Sequence, residues 1–373
     1  MQFLLDPDVT FLNHGSYGAC PAPVFDAYQG WQRELERNPV EFLGRRFHDL
    51  IGTARATLAE FVGAQADDLV FVPNATAGLN AVIRSLRLEP GDEVVTTRHE
   101  YGAVNRTWQF AGATLVQAEP DEVPAAIGPR TRAVSVSHIT SPTALVLPVE
   151  EICAAARAAG VLAIVDGAHA PGQIPLDLEA LGADVYAGNC HKWLSAPKGV
   201  AFLWARPEHH DWIDPLVVSW GYDEGFARRH GWQGTRDPAA ALAVPAAIEA
   251  HGSLDLERCR RLAASFHDRL PPVGATPAPQ MWASELEVDD PDELQRRLYD
   301  EHRIEVVVRE WEGRSLLRVS IAPYNEAPDV ERLLAALDVE LRASAGGRKP
   351  VASTKRVILG DNSESIGRQR GGT

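Results

Sequence analysis

Several short apolar runs in this chain end on residues able to do chemistry. Asn74, Ala75 and Thr76 come just after "LVFV", and Glu100 and Tyr101 come just after "EVVTT". His138 to Ser141 complete "AVSVSH", Asp166 to His169 complete "VLAIVD", and Asn189 to Lys192 follow "DVYAG". Small polar groups, aromatic and imidazole rings, a carboxylate and one amine are thus offered together.

Pyridoxal phosphate requires that mixture. It needs a lysine to hold it as a Schiff base, a carboxylate against its pyridine nitrogen, a flat group over its ring and a cradle for its phosphate. Asp166, at the tip of an apolar run, fits the pyridine nitrogen, where a carboxylate keeps the ring protonated and electron-accepting; its other reading is a cap for the next helix. Lys192 fits the Schiff base. Lysines after strands are usually solvated, but His191 and Trp193 on either side argue against a merely solvated position. "NATAGLN" reads as a strand-to-helix turn whose free amides and Thr76 hydroxyl suit a phosphate, or equally as an ordinary helix cap. Tyr101 suits a ring-stacking position, or a packed aromatic with a bonded hydroxyl.

The elements that must position these residues follow from the rhythm of the chain. From about Leu69, apolar runs alternate with helical patterns such as "TAGLNAVIRSL" and "PVEEICAAARAAG", the second ending on a glycine stop. This predicts an α/β fold with a mostly parallel sheet covered on both faces. Ligands then collect beyond the carboxyl ends of the strands, where the residues above fall. After about Ala250, "SELEV", "IEVVV" and "SLLRVSI" interleave with helices and predict a smaller α+β domain. The expected division is a segment 1–20 joining the small domain, a large domain 21–250, a small domain 251–343 and a basic Gly- and Ser-rich tail 344–373, with disorder as one reading of the tail's composition.

Bulk properties exclude other classes. The 373 residues are long for one core, and 45% hydrophobic content is ample for burial. A formal charge of -15 argues against nucleic acid or an anionic membrane as partner. Cys20, Cys153, Cys190 and Cys259 stand far apart, with neither a disulfide framework nor metal-ligand spacing, so no metal is expected. The N-terminus places Asp6 and Asp8 where a signal peptide would be basic and then apolar, and no apolar run reaches the roughly 20 residues of a membrane span. The expectation is a cytoplasmic enzyme.

The stretches "FLNHGSYGACPAPV", "HEYGAV", "SHITSPTALVLPV", "VDGAHAPG", "AGNCHKWLSAPKG", "VSWGY", "QGTRDPAA" and "LLRVSIAPYN" together resemble the class V group of fold-type I pyridoxal phosphate enzymes, within it most of all the isopenicillin N epimerase-like members. The resemblance implies a seven-stranded, mostly parallel sheet sandwiched by helices, with Lys192 holding the cofactor and Asp166 facing the pyridine nitrogen. It places Ser141 and His169 near the phenolic oxygen, Ala75 and Thr76 on the phosphate loop, and Tyr101 where related desulfurases stack a histidine. Asn189 stands where a serine or threonine is usual, which puts a side-chain contact to the phosphate there in question. His191 would assist catalysis. Thr235 matches a threonine that reaches the phosphate of a neighbouring subunit, which implies a homodimer with shared active sites; a loop hydroxyl is its other reading. Arg318 matches the arginine that clamps the substrate's α-carboxylate, and an arginine in an apolar strand seldom lacks a partner. Asn13 and His14 are pocket candidates or parts of a structural turn.

One departure is informative. The desulfurases carry a nucleophilic cysteine shortly before that arginine, whereas "EHRIEVVVREWEGRSLLRVS" has none. The leading expectation is α-proton abstraction by Lys192 with return from the opposite face, an epimerase or racemase whose second acid is Tyr101 or His191. The alternatives are a carbon-sulfur lyase, as in hercynylcysteine sulfoxide lyases, and an aminotransferase. A non-enzymatic cofactor-binding role is disfavoured because Lys192, Asp166 and Arg318 are all present. Arg45 or Arg46 would be the reader of a distal substrate carboxylate, unless both are simply solvated.

Overall fold

The computed structural model describes residues 1–346, and the rest of the expected tail, 347–373, lies outside the described residues. A short β1 (Thr10–Phe11) precedes the strands of the large sheet: β2 (Leu69–Val72), β3 (Glu93–Thr97), β4 (Thr114–Ala118), β5 (Thr131–Ser137), β6 (Leu162–Asp166), β7 (Val185–Asn189) and β8 (Ala201–Ala205). They lie in the order β2-β8-β7-β6-β5-β3-β4, and only β8 runs antiparallel to its neighbours. The fold is therefore a seven-stranded, mostly parallel sheet.

Both faces of that sheet are buried, which is why its strands read as continuous apolar runs. Side chains alternate across a strand, so Leu69 and Phe71 enter one hydrophobic cluster while Val70 and Val72 enter the other. The helices Phe47–Val62 and Val149–Ala159 cover the first face with Ala54, Leu58, Ile152 and Ala156. Helices Ala75–Ser85 and Gly102–Phe110 cover the second with Leu79, Val82, Val104 and Trp108. Each fully buried Val, Leu or Ile side chain contributes about 1.5–3 kcal/mol. The helix Val149–Ala159 stops at Gly160, whose φ of 69° is left-handed.

The later strands are β9 (Met281–Leu286), β10 (Ile304–Glu305), β11 (Val307–Trp311) and β12 (Arg314–Ser320). They form a three-stranded antiparallel sheet, β11-β12-β9, while β10 pairs in parallel with β1. Leu12 joins Phe266, Leu298, Leu317 and Leu333 in a separate core, so the N-terminal segment packs with this smaller α+β unit. The terminal helix Ala327–Gly346 runs past the boundary expected at 343. Glu301, His302 and Glu340 converge in this unit, but Glu340 is bonded by both Arg297 and His302 at 2.7 Å, an ion-pair network within the fold. Among the described residues no helix is long and apolar enough to cross a membrane.

Candidate active site

The carboxyl ends of β2, β3, β5, β6 and β7 open on one cavity of about 400 Å³. Its walls include Asn74 and Thr76 after β2, Tyr101 after β3, Ser141 after β5, Asp166 and His169 at and after β6, and Asn189, His191 and Lys192 at and after β7. Ser16 and Tyr17 from the N-terminal segment close one side. Gly18 lets that segment pass: its φ is 71°, and a Cβ there would meet the His191 carbonyl oxygen at 1.9 Å.

Lys192 Nζ lies 3.0 Å from His169 Nε2, and Trp193 Nε1 lies 3.2 Å from His169 Nδ1. An indole N–H can only donate, so Nδ1 accepts and the imidazole proton sits on Nε2. That N–H then donates to Nζ, which requires the amine to be neutral. The electrostatics agree: burial, followed by Arg318, pushes the Lys192 ammonium down to about 7. Burial and then Lys192 hold His169 well below the usual histidine range.

Asp166 is buried, and burial raises its carboxyl above the usual range while the Ala168 amide pulls it back. Its Oδ1 accepts that amide at 2.9 Å, and among the described residues Oδ2 has no hydrogen-bond partner. Behind Tyr101, Glu100 accepts the hydroxyls of Thr97 and Ser137 at 2.6 Å each, and burial pushes it up to about 7. His191 Nδ1 lies 2.9 Å from the Val200 carbonyl, so Nδ1 carries its hydrogen, and burial pushes the ring down to about 4.

Arg318 is 2% exposed and meets only neutral groups. Nη1 donates to the Ser141 carbonyl at 2.7 Å and its hydroxyl at 3.0 Å, Nη2 donates to Ser16 Oγ at 3.0 Å, and Nε is buried without a partner. Burial, reinforced by Arg309, lowers Arg318 to about 9. Burying a guanidinium without an anion is costly, so this group is set for an anionic ligand.

Some expected residues take other places. Ala75 is buried, and its amide hydrogen is spent on Asn189 Oδ1 at 2.9 Å, which ties the tip of β7 to the helix after β2. Thr76 is the member of that pair that lines the cavity. Asn13 and His14, expected in the pocket, are not among the residues that line the cavity. Asn13 bonds Glu305 and accepts from Ser16, and His14 spans Tyr324 and the Lys192 carbonyl with its ring pushed down to about 4 by burial. Both brace the wall from behind. Ser141 faces the cavity, with its hydroxyl on Arg318. Thr235 is exposed and lies in a different cavity, with Leu43, Trp220 and Trp232. Arg46 is paired with Glu34 at 2.8 Å, Arg45 is exposed, and neither lines the cavity. The residue missed from sequence is Arg309 on β11, whose charge reaches Arg318, Lys192 and His169.

These residues fit pyridoxal phosphate: a neutral amine, a carboxylate with a free oxygen, an aromatic ring and a polar helix start face one cavity. The fold and site thus define a fold-type I pyridoxal phosphate enzyme. The chain belongs to the class V aminotransferase family, whose model, "Aminotransferase class-V", matches residues 13–271. An isopenicillin N epimerase of Amycolatopsis lactamdurans is 39% identical, covering 90% of this chain and 96% of that protein. A probable chloroplastic L-cysteine desulfhydrase of Arabidopsis thaliana is 32% identical, covering 65% of this chain and 58% of that protein. In fold, the chain is similar to the cysteine desulfurase CsdA of Escherichia coli, with a TM-score of 0.78, 23% identity and coverage of 92% and 97% of the two chains.

Proposed function

We propose that this enzyme inverts the α-centre of an amino acid, an epimerase or racemase related in activity to the isopenicillin N epimerases. The observation that carries the reading is a buried Arg318 without an acid, bonded to two residues of the wall that also presents a neutral Lys192 amine. Arg318 receives the substrate carboxylate and sets the α-carbon toward Lys192. Bound pyridoxal phosphate supplies the electron sink that acidifies the α C–H. Lys192 holds the cofactor and, once free, takes the α-proton on Nζ, since an amine titrating near neutrality is matched to that task. With pyridoxal phosphate bound, Asp166 Oδ2 would accept the pyridine N–H, His169 and Ser141 would lie toward the phenolic oxygen, and Thr76 would take the phosphate. Tyr101 is the better second acid. His191 is neutral with its one N–H given to Val200, so it has no proton to return.

The same first step serves a second reading, β-elimination by a carbon-sulfur lyase, favoured by the likeness to the cysteine desulfhydrase. Turnover in deuterated water separates them. Inversion gives α-deuterated amino acid of both hands without keto acid, and Tyr101→Phe slows one direction more than the other. Pyruvate and a thiol from a cysteine conjugate, with free amino acids keeping their hand, would replace the epimerase by the lyase. The proposal also includes the division 1–20, 21–250 and 251–343, a homodimer in which Thr235 reaches the partner's phosphate, and a cytoplasmic location.

A further inference from the structure

We infer that Arg309 reads a second anionic group on the substrate, so that the enzyme prefers amino acids whose side chain carries a carboxylate or a comparable anion. The inference rests on the reading of the cavity as an amino-acid site, and its starting point is the register of the small sheet. β11 and β12 pair Val307 with Arg318 and Arg309 with Leu316. Residues directly opposite share a face and alternate residues return to it, so Arg309 and Arg318 are diagonal neighbours on one face, about 7–8 Å apart and within reach of long side chains. The other face, with Val308, Leu317, Val319 and Trp282, fills the core of the smaller unit. The arginine face also carries Met281 and Ala283, which belong to the core of the large sheet, and its Arg318 bonds Ser16 and Ser141 of the cavity wall.

Two like charges are thereby held together, and among the described residues neither forms an ion pair. Arg309 weakens the charged form of Arg318, as expected for cations close together away from water. The two differ in depth. Arg318 is buried among Ser141 and Ser16, whereas Arg309 is half-buried, with Tyr101 and Tyr17, which are 47% and 74% exposed, near enough to favour its charged form. A substrate with its α-carboxylate on Arg318 and its side chain leading outward past the tyrosines brings a distal anion to Arg309. Such an anion would relieve the repulsion between the arginines, a gain that a neutral side chain lacks.

The test uses holoenzyme titrated with matched pairs, L-glutamate against L-glutamine and the acid and amide one methylene longer, with binding read from the cofactor's absorption spectrum. A charge-assisted contact predicts that at least one acid binds about ten- to a hundredfold tighter than its amide. Arg309→Gln should erase that ratio, and Arg309→Glu should shift preference to ornithine or lysine, with circular dichroism checking the fold of each variant. Equal affinity for acids and amides, or a ratio that survives Arg309→Gln, overturns the assignment while leaving the amino-acid site standing. If no amino acid changes the spectrum, the amino-acid reading falls and this inference with it.

Discussion

Lys192 is made useful by its neighbours. Trp193 fixes the His169 tautomer, His169 then requires a neutral amine, and the nearby Arg318 makes neutrality cheaper. Because this lysine is to hold the cofactor, purified enzyme should be yellow, and borohydride should fix the cofactor to the peptide containing Lys192. Lys192→Ala should lose the bound absorption or release the cofactor on denaturation, and should lose essentially all turnover. Borohydride trapping that persists in Lys192→Ala would remove the assignment. The placement of these residues at one cavity was legible because Asp166 and Lys192 interrupt apolar surroundings where nothing in packing asks for a charge, and the same holds for Arg318, which bonds the cavity wall. Other residues were not legible. The spending of the Ala75 amide on Asn189 depends on which strands are neighbours, which local sequence does not state. Asn13 and His14 sit in a glycine-bounded loop that reads alike whether it lines a cavity or braces one. Arg309 occupies a strand position that resembles a solvent-facing one until the register sets it beside Arg318.

At the scale of elements, buried strands announced themselves and exposed ones did not. "LVFV" and "EVVTT" coincide with β2 and β3, whereas β4, "TLVQA", gives no continuous apolar run because it is the edge strand, with Thr114 and Gln117 exposed. β9 starts at Met281, three residues before the run "SELEV", and "IEVVV" is broken at Val306, where β10 leaves to pair with β1 and β11 begins. The connection between β8 and the helix Phe226–Gly231 holds an unburied apolar run, with Trp220 at 84% exposure and Val218 at 66%, and Trp220 lines the cavity containing Thr235. A large tryptophan left in water, in a cavity that holds the Thr235 hydroxyl and is separate from the one holding the chain's own Lys192, suits a surface completed by a second copy. Thr235→Ala should therefore raise the dissociation constant of the cofactor several-fold while leaving the unfolding midpoint nearly unchanged, and sedimentation should find a dimer. A fully active monomer would remove the basis for the shared site.

The whole molecule has an acid sensitivity set by what the three-layer architecture encloses. His14, His138, His191 and His230 are each pushed down to about 4, with burial as the leading cause. Unfolded, each titrates near 6.5, so unfolding takes up protons between about pH 6.5 and about pH 4, and stability falls across that window as pH falls. Each histidine contributes a slope of at most about 1.4 kcal/mol per pH unit. Glu100 acts in the opposite sense. Its folded pKa is raised to about 7, so it keeps a proton that the unfolded chain releases, and its contribution becomes more favourable as pH falls from about 7 toward the ordinary glutamate range. Asp166, also raised by burial, has the same sign as Glu100. Burial also lowers His48, His99, His169 and His251 and raises Asp68, so the histidines outnumber the raised carboxyls and acid destabilisation prevails. Urea unfolding of the cofactor-free protein should give a lower midpoint at about pH 5.5 than at about pH 7. His230→Gln, which keeps a donor for the Ile213 carbonyl but removes the titration, should flatten that dependence by about one proton. A midpoint that holds or rises on acidification would mean that the enclosed carboxyls, and not the histidines, govern the molecule's response to pH.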